Sequence, residues 1–381
     1  TDIQLQEVES FHYPAKADII GYKPRTQGHP MQIKKALQAI KEAERPIICC
    51  GGGVVLAGAR EEMIAFARNS GIPVTATMMG IGVMPMDSPY YLGMIGSHGR
   101  TSANKAMSEA DLVILCGARV GDRAVAAPES LAEKAKIIHI DIDPAEIGKN
   151  MTAHIPIVGD IRLVLSELAS KVENTVSQDW IDRVFGLKAK YPPRGEARED
   201  CVEPRVFIRD LSAMMKEDAI LTADVGQNQI WAARNFNVKE GRFLTSGGLG
   251  TMGYSVPAAI GAKIAKPHRQ VVAVCGDGSF QMCMCELGTL IQNGVDIKII
   301  IMENQRLGMV REFQDRLYGC RHIGTVLEHG NPDFVKLAES YGIEAARAEN
   351  NAQAKELAQH MLQSNKAFIL VCSVDPEIPS I

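Results

Sequence analysis

A short glycine-rich turn, Gly276-Asp277-Gly278-Ser279, and an asparagine 27 residues after its aspartate are the residues of this chain best suited to chemistry. Each follows a short apolar run, residues 271–275 before the turn and residues 298–302 before Asn304. Carboxylate and amide oxygens are hard ligands that suit Mg²⁺, which completes its octahedral shell with waters and substrate phosphates. Asp277 and Asn304 together therefore predict a site that holds a diphosphate through a divalent metal.

Two buried parallel strands are needed to bring this turn and Asn304 together. Both apolar runs are continuous and rich in β-branched residues, which is typical of strands that are covered on both faces. Apolar residues recur at helical spacing between the runs, at Met282, Leu287, Leu290 and Ile291. The pattern predicts a strand, a turn, one helix and a second strand. Asp277 and Asn304 then lie beyond the carboxyl ends of parallel strands, where open α/β sheets bind ligands.

A second α/β unit precedes this one, and its strand ends also carry glycine and acidic residues. A predicted helix over residues 31–44 leads into an apolar run at 46–50, which ends in Gly51-Gly52-Gly53. Further apolar runs lie at 112–116 and 136–144, with a helical pattern at 102–109 before the first of them. Alternating strands and helices predict the α/β class, here as two doubly wound parallel-sheet domains with helices on both faces.

The glycine triplet after the first strand has more than one interpretation. Glycines at a strand end allow a ligand to approach the backbone closely. A nicotinamide dinucleotide could use such a turn, but Val54, Val55 and Leu56 follow the triplet, so the match to a GxGxxG fingerprint is poor. Taken alone, the triplet is better explained by tight turns that hold no ligand.

Length and composition predict two domains and exclude some classes of partner. A chain of 381 residues exceeds the size at which single cores usually stop growing. The net charge of −4 provides no basic field for nucleic acid. No apolar stretch approaches the roughly 20 residues that span a membrane. Nine cysteines without a secretory signal lead us to expect a reducing, cytoplasmic environment.

The predicted layout has four parts. A connector covers residues 1–27, a first domain 28–170, an interdomain linker 171–202 and a second domain 203–381. An amphipathic helical pattern around Trp180 and Val184 indicates where the linker lies in the sequence. That pattern stops at Tyr191-Pro192-Pro193-Arg194-Gly195, where the prolines and glycine end a helix.

Five long segments together resemble the large, catalytic subunits of the acetolactate synthase family, over nearly the whole chain. They lie at residues 92–99, 117–123, 138–150, 225–229 and 245–254. The segment from Asp277 to Asn304 likewise resembles the thiamine diphosphate motif, although the family usually has Asn-Asn where this chain has Glu303-Asn304. The chain is similar to the middle and C-terminal domains of this family.

The resemblance implies a thiamine-dependent transferase of branched-chain amino acid biosynthesis. Such an enzyme decarboxylates pyruvate and joins the product to a second 2-ketoacid, giving 2-acetolactate. The implied cofactors are thiamine diphosphate, Mg²⁺ and FAD, and the implied assembly is a homodimer or homotetramer with a regulatory small subunit as a further partner. The family begins with a pyrimidine-binding domain that has no counterpart here, so we expect a fragment that is inactive alone.

The resemblance also implies site residues, which fall into four groups. The metal ligands are Asp277, Asn304 and the main-chain carbonyl of Arg306. The thiamine diphosphate site consists of Gly226, Gln227, Asn228, Gly250, Met252, Gly278, Ser279, Met282 and Met309. The flavin site consists of Gly51, Gly52, Gly53, Thr77, Met78, His98, Gly117, Arg119, Arg123, Asp141, Ile142 and Asp160. The catalytic group consists of Arg123, Met252, Met282 and Phe313, with Arg123 facing the ketoacid carboxylate and Met282 as the apolar wedge that keeps the cofactor bent.

Several positions depart from the family pattern. Phe313 stands where biosynthetic members usually have a tryptophan that favours 2-ketobutyrate as acceptor, and Asn228 replaces a common histidine. These departures predict an enzyme that discriminates less between acceptors. Ser97 and Gly121 stand where the family usually has methionine and aspartate, and both positions bear on flavin binding.

Two classes of alternative stay open. A pyruvate oxidase or a 2-ketoacid decarboxylase would share the thiamine motif, although Gly308-Met309-Val310-Arg311 and Asp122-Arg123 favour acetolactate synthase. Outside thiamine chemistry, a nicotinamide transhydrogenase-like module or a non-catalytic nucleotide-binding module could use similar strand ends. The presence of both Asp277 and Asn304 argues against a non-catalytic module.

Overall fold

The computed structural model describes residues 1–16, 18–21 and 23–381. Ala17 and Tyr22 belong to the predicted connector and lie outside the described residues. A short helix, α1 (Asp2–Leu5), begins the chain. Most of the residues after position 29 form two α/β units, each built on one six-stranded parallel sheet, as the sequence predicts.

The first unit alternates strands and helices. Its strands are β1 (Pro46–Cys50), β2 (Val74–Ala76), β3 (Tyr91–Met94), β4 (Leu112–Cys116), β5 (Lys136–Asp141) and β6 (Ile155–Val158). Its helices are α2 (Pro30–Glu42), α3 (Gly52–Leu56), α4 (Arg60–Ser70), α5 (Thr101–Glu109), α6 (Pro128–Lys134), α7 (Ile161–Lys171) and α8 (Gln178–Lys190), with a 3₁₀ turn at Met78–Gly80. The predicted strands at 46–50 and 112–116 are confirmed to the residue.

The strand order of the first sheet is β3-β2-β1-β4-β5-β6, and all neighbours are parallel. The chain therefore leaves β1 in one direction and later returns to extend the sheet in the other direction from β4. The crevice between β1 and β4 is the topological switch point, where open α/β sheets bind ligands at the carboxyl ends of the strands.

Strand β1 is buried on both faces, which accounts for its continuous apolar sequence. Ile47 and Cys49 pack into one apolar cluster, and Ile48 and Cys50 pack into another on the opposite face. This alternation follows from the two-residue period of a strand. Helices cover both faces, so neither face of the strand tolerates polar side chains.

The second unit has the same construction. Its strands are β7 (Ile220–Ala223), β8 (Arg242–Thr245), β9 (Val271–Gly276), β10 (Lys298–Glu303), β11 (Glu344–Ala348) and β12 (Phe368–Ser373). Its helices are α9 (Pro204–Met214), α10 (Gln227–Asn235), α11 (Ser255–Ala265), α12 (Asp277–Gln281), α13 (Glu286–Gln292), α14 (Gly308–Leu317), α15 (Phe334–Ser340) and α16 (Asn351–Gln363). The sheet order is β11-β12-β10-β9-β7-β8, all parallel, so the switch point lies between β7 and β9.

The prediction of one continuous helix after Asp277 is wrong. The chain forms two short helices, α12 and α13, separated by a tight turn over residues 282–285. Backbone bonds of the i to i+3 type close this turn, for example from the Cys283 N–H to the Phe280 carbonyl and from the Glu286 N–H to the Cys283 carbonyl. Met282 and Ile291 consequently point to the surface, whereas Leu287 and Leu290 are buried as the pattern predicts.

Helix α8, within the segment predicted to link the domains, packs on the first sheet. Trp180, Val184 and Leu187 are buried in the same apolar cluster as Ile47, and the Trp180 indole N–H donates to the Pro46 carbonyl at 2.9 Å. Within the described part of the chain, no helix is both long enough and apolar enough to cross a membrane.

Candidate functional site

A cleft of about 1460 Å³ runs between the carboxyl ends of the two sheets. This volume exceeds the roughly 300–1000 Å³ that is usual for a pocket that holds one small ligand. Both switch points open into the cleft, because residues that follow β1, β4, β7 and β9 line its walls. The cleft therefore has one end in each domain and has room for more than one small molecule.

The Asp277 carboxylate lies at the second-domain end of the cleft and is almost fully buried. Its Oδ1 accepts the Gly278 N–H at 2.9 Å, and its Oδ2 accepts the Gln305 N–H at 2.6 Å and the Asn331 amide at 2.9 Å. Burial raises the pKa of Asp277 to about 6, and the three hydrogen bonds partly offset that rise. The carboxylate is thus held rigidly at the mouth of the β7/β9 switch point.

Asn304 follows the neighbouring strand β10 and is also buried. Its Nδ2 donates to the Gln227 side-chain oxygen at 2.8 Å, so the amide is oriented and Oδ1 is left on the other side. Oδ1 accepts the Arg306 N–H at 3.2 Å. Asp277, Asn304 and Arg306 all line the cleft, and the hydrogen bond from the Gln305 N–H joins Asp277 to the segment that carries the other two, so the structure brings the three predicted metal ligands together.

Helix α10 begins at the cleft, directly after the positive-φ residue Gly226. The first N–H groups of a helix have no partners within the helix and attract anions. The side chains of the predicted diphosphate residues, in contrast, are already engaged. Gln227 bonds Asn304, Glu312 and the Ile378 carbonyl, Asn228 donates to the Asp224 carbonyl at 2.8 Å, and the Ser279 hydroxyl bonds the backbone of Gly276. Backbone N–H groups of α10 are therefore the available donors at this end.

Asp224 is a buried residue that the sequence reasoning missed. Its Oδ1 accepts the Val225 and Gly253 N–H groups, each at 2.9 Å, and its Oδ2 accepts the Ser255 N–H at 2.8 Å. The carboxylate thereby ties the end of β7 to the loop that carries Gly250 and Met252. Asp224 directly follows an apolar strand, as Asp277 does, and that shared position was the signal available in the sequence.

The glycine triplet lies at the first-domain end, where the backbones after β1 and β4 meet. A Cβ on Gly53 would lie 2.7 Å from the Gly117 Cα, and a Cβ on Gly51 would lie 2.4 Å from the Gly117 carbonyl oxygen. Glycine is thus required at both positions by the close approach of two strand ends, whether or not a ligand binds. Gly52 differs, because a Cβ there would approach the Met79 side chain at 3.1 Å and no backbone of the other strand end. Gly52 and Gly53 both line the cleft.

Arg123 and Phe313 meet where the two domains face each other. The Arg123 guanidinium lies 5.6 Å from the centre of the Phe313 ring, and both side chains line the cleft. Burial chiefly lowers the pKa of His98, which lines the same region. A guanidinium over an aromatic ring is suited to hold a small carboxylate beside an apolar surface.

The cleft contains most of the predicted site residues. Those that line it are Gly52, Gly53, Thr77, Met78, His98, Gly117, Arg119, Arg123, Asp141, Ile142, Asp160, Gly226, Gln227, Asn228, Gly250, Met252, Asp277, Gly278, Ser279, Asn304, Arg306, Met309 and Phe313. Gly51 and Met282 do not line it. Met282 is 59% exposed beside Gly253, so its position gives no support to the predicted wedge role, whereas Met252 and Met309 reach the cleft.

Two family models match the chain, one for each domain. The central domain of thiamine pyrophosphate enzymes matches residues 33–168, and their C-terminal TPP binding domain matches residues 224–372. The chain belongs to the thiamine pyrophosphate enzymes. Thiamine pyrophosphate, also called thiamine diphosphate, is thus the cofactor class of the second domain.

Several relatives are similar along almost the whole chain. The probable acetolactate synthase large subunit of Methanocaldococcus jannaschii is 45% identical over 97% of this chain and 64% of its own length. The corresponding protein of Methanococcus aeolicus is 42% identical over 98% of this chain and 66% of its length. The acetolactate synthase large subunit of Corynebacterium glutamicum is 42% identical over 97% of this chain and 60% of its length. The resemblance noted from the sequence is confirmed, and the chain spans about two thirds of these relatives or less.

The residues of this thiamine pyrophosphate enzyme fit a diphosphate bound through Mg²⁺. Among the described residues, no group of three or more His, Cys, Asp or Glu side chains is placed to hold a metal ion. One carboxylate and one amide, as at Asp277 and Asn304, leave most of an octahedral shell to other oxygens. Diphosphate oxygens at the start of α10 would supply them, so metal and cofactor would bind together.

Proposed function

We propose that this chain forms the middle and thiamine diphosphate-binding domains of an acetolactate synthase large subunit. The proposed reaction decarboxylates pyruvate and transfers the remaining two-carbon unit to a second 2-ketoacid, giving 2-acetolactate from two pyruvate molecules. The observation that carries the proposal is that Asp277 and Asn304 line one cleft at the carboxyl ends of the adjacent strands β9 and β10, in a chain 42–45% identical to relatives of that name. When bound, thiamine diphosphate would supply the electron sink for decarboxylation.

The second-domain residues would bind and orient the cofactor. Asp277, Asn304 and the Arg306 carbonyl would hold Mg²⁺, and the backbone N–H groups at the start of α10 would hold the diphosphate. Asp224 would set the position of the loop with Gly250 and Met252, because it accepts a hydrogen bond from Gly253. Hydrogen bonds within the domain already hold the side chains of Asp277, Asn304 and Asp224 in place, so little reorganisation would accompany binding.

The residues at the domain junction would bind the ketoacids. Arg123 offers a guanidinium fork for a carboxylate, and Phe313 offers an apolar surface beside it. We propose FAD as a second cofactor at the first-domain end, where Gly52, Thr77 and Asp160 line the cleft. The names of the relatives call them large subunits, which supports a smaller partner subunit and a multimeric assembly as further proposals.

The product formed from pyruvate tests the reaction. The protein expressed from its complete reading frame is incubated in aerated phosphate buffer with pyruvate, Mg²⁺, thiamine diphosphate and FAD, and the products are separated and identified. We expect 2-acetolactate. Acetaldehyde would identify a decarboxylase, acetyl phosphate an oxidase, and the absence of any product would favour a non-catalytic module.

Calorimetric titration with thiamine diphosphate tests the site without depending on turnover. We expect binding to require Mg²⁺ and to be abolished in Asp277→Ala, because the metal loses its one carboxylate ligand. Asp179→Ala, at an exposed position in the first turn of α8, is the matched control and should bind as the unmodified protein does. Unchanged affinity in Asp277→Ala would overturn the metal assignment.

A further inference from the structure

An ion pair between a buried carboxylate and a half-buried guanidinium lies directly behind the proposed metal ligands. Glu303 is the last residue of β10 and only 8% exposed, and Arg347 of β11 donates a hydrogen bond to its Oε2. Strand β12 separates β10 from β11, so the Arg347 side chain crosses Ser373, whose hydroxyl it also contacts at 3.4 Å. Glu303 and Ser373 are register partners, whereas Arg347 pairs with Val371, two residues before Ser373 on β12. A strand has a two-residue period, so the three side chains lie on the same face of the sheet.

The ion pair and the proposed metal site share a wall. A cavity of about 260 Å³ is lined by Glu303 and Arg347, and its other lining residues include Asn304 and Arg306. Asn304 and Arg306 also line the large cleft on the far side. The charges of the pair are therefore separated from the cleft by the two metal-binding residues themselves.

Glu303 is a departure from the Asn-Asn pattern that the sequence resembles, and it adds a negative charge next to the site. Its charge already contributes, behind burial, to the raised pKa of Asp277. A carboxylate that is buried without a partner would be costly, and Arg347 neutralises it. The net charge of Glu303 and Arg347, so close to the proposed metal site, affects how strongly a divalent cation binds there.

We propose that Glu303 and Arg347 set the divalent-metal affinity of the Asp277 site through their charges, without either side chain coordinating the metal. This inference rests on the proposed metal site. With both residues present, the pair is neutral and the affinity is intermediate. Removing the negative charge leaves an unpaired, half-buried cation near the metal and weakens metal binding, whereas removing the positive charge leaves a buried anion and strengthens it.

A double-mutant cycle on the two charges, called the charge cycle below, tests the proposal. The readout is the Mn²⁺ affinity, measured by titration of Mn²⁺ at a fixed excess of thiamine diphosphate. The variants are Glu303→Gln, Arg347→Gln and the double substitution, all prepared as the full protein. We expect Glu303→Gln to bind Mn²⁺ about tenfold more weakly and Arg347→Gln about tenfold more tightly. The double variant should return to within about threefold of the unmodified protein, because the local charge is again zero.

Opposite signs in the two single variants would not arise from structural damage, which lowers affinity in both. If Arg347→Gln does not fold, recovery of affinity in the double variant relative to Glu303→Gln still supports the proposal. Equal changes in Mn²⁺ affinity in the two single variants, or no change in either, would overturn the proposal. A loss of affinity in Glu303→Gln that the double variant does not recover would also overturn it, because that result would identify Glu303 as a direct metal ligand. The exposed Glu356→Gln is the control.

Asp277→Ala separates this inference from the metal assignment. If Asp277→Ala abolishes Mn²⁺ binding while the charge cycle shows no effect, the metal site stands and only the role of the pair is wrong. If Asp277→Ala leaves Mn²⁺ binding unchanged, the metal assignment itself fails.

Discussion

Arg123 and Phe313 come from different domains, and the guanidinium of the first lies 5.6 Å from the ring centre of the second. The two positions are separated by 190 residues in the sequence. Their contact places a cation and an apolar ring side by side in the cleft between the sheets. A pocket of this composition suits a small 2-ketoacid, with its carboxylate toward Arg123 and its alkyl group toward Phe313.

Phe313→Trp should raise the preference for 2-ketobutyrate over pyruvate as acceptor. A larger ring adds apolar contact to the extra methylene of 2-ketobutyrate, and one methylene is worth about 1–3 kcal/mol of discrimination, so a shift of roughly tenfold is expected. Competition between the two acceptors, with both products quantified, measures the shift. Phe185→Trp, on the surface of α8, should leave the product ratio unchanged, and an unchanged ratio in Phe313→Trp would contradict the acceptor role.

Asp224→Asn should weaken thiamine diphosphate binding and lower stability together. All three partners of the carboxylate are backbone N–H groups, so the amide of asparagine turns one acceptor into a donor that faces another donor. A buried N–H left without a partner costs about 1–3 kcal/mol. Chemical denaturation and cofactor titration measure the two effects, with Asp179→Asn as the exposed control. Loss of stability at undiminished cofactor affinity would show that the loop position does not matter for binding.

Gly53→Ala should destabilise the first domain by more than 2 kcal/mol, on the order of an overpacked core substitution. The new Cβ would lie 2.7 Å from the Gly117 Cα, and both strand ends are backbone that cannot move aside. Gly186→Ala in α8 has no atom within 4 Å of the new Cβ and should stabilise by about 0.5–1 kcal/mol through helix propensity. Urea denaturation compares the two. Equal behaviour of the two variants would mean that the close approach of β1 and β4 relaxes easily.

His139 should make the folded state sensitive to mild acid. The imidazole is buried on β5, its Nε2 has no hydrogen-bond partner among the described residues, and burial lowers the pKa of His139 below its ordinary value. The neutral imidazole therefore makes its full contribution to the free energy of unfolding above about pH 6.5. That contribution is lost as the pH falls through the lowered pKa.

His139→Leu should reduce that loss. The difference in unfolding free energy between pH 7.5 and pH 5.5 should be smaller in the variant, by up to about 1.4 kcal/mol, because only one of these two pH units lies below the ordinary histidine pKa of about 6.5. Urea denaturation at the two pH values measures it, and His329→Leu at an exposed loop position is the control. A variant that loses as much stability as the unmodified protein would exclude His139 as the responsible group.

Local patterns were sufficient to predict the elements that carry the site. The strands at 46–50 and 112–116 have the predicted ends, and β9 and β10 extend the predicted runs by one residue each. A strand covered on both faces has a continuous apolar sequence, so its limits are visible without the fold. The helix after Asp277 was predicted as one piece and is two, because the backbone turn at 282–285 has no marker in the apolar spacing.

The sequence by itself determined the chemistry of the metal end: a carboxylate and an amide after two buried strands, in a chain of two α/β units. This prediction was possible because the carboxyl ends of parallel strands lie at the same edge of a sheet. Only the tertiary structure decided which distant residues meet there, including Arg123 with Phe313, Asp224 with Gly253, and Glu303 with Arg347. Such pairs depend on strand order and on how the domains face each other, and neither depends on the local spacing of residue types.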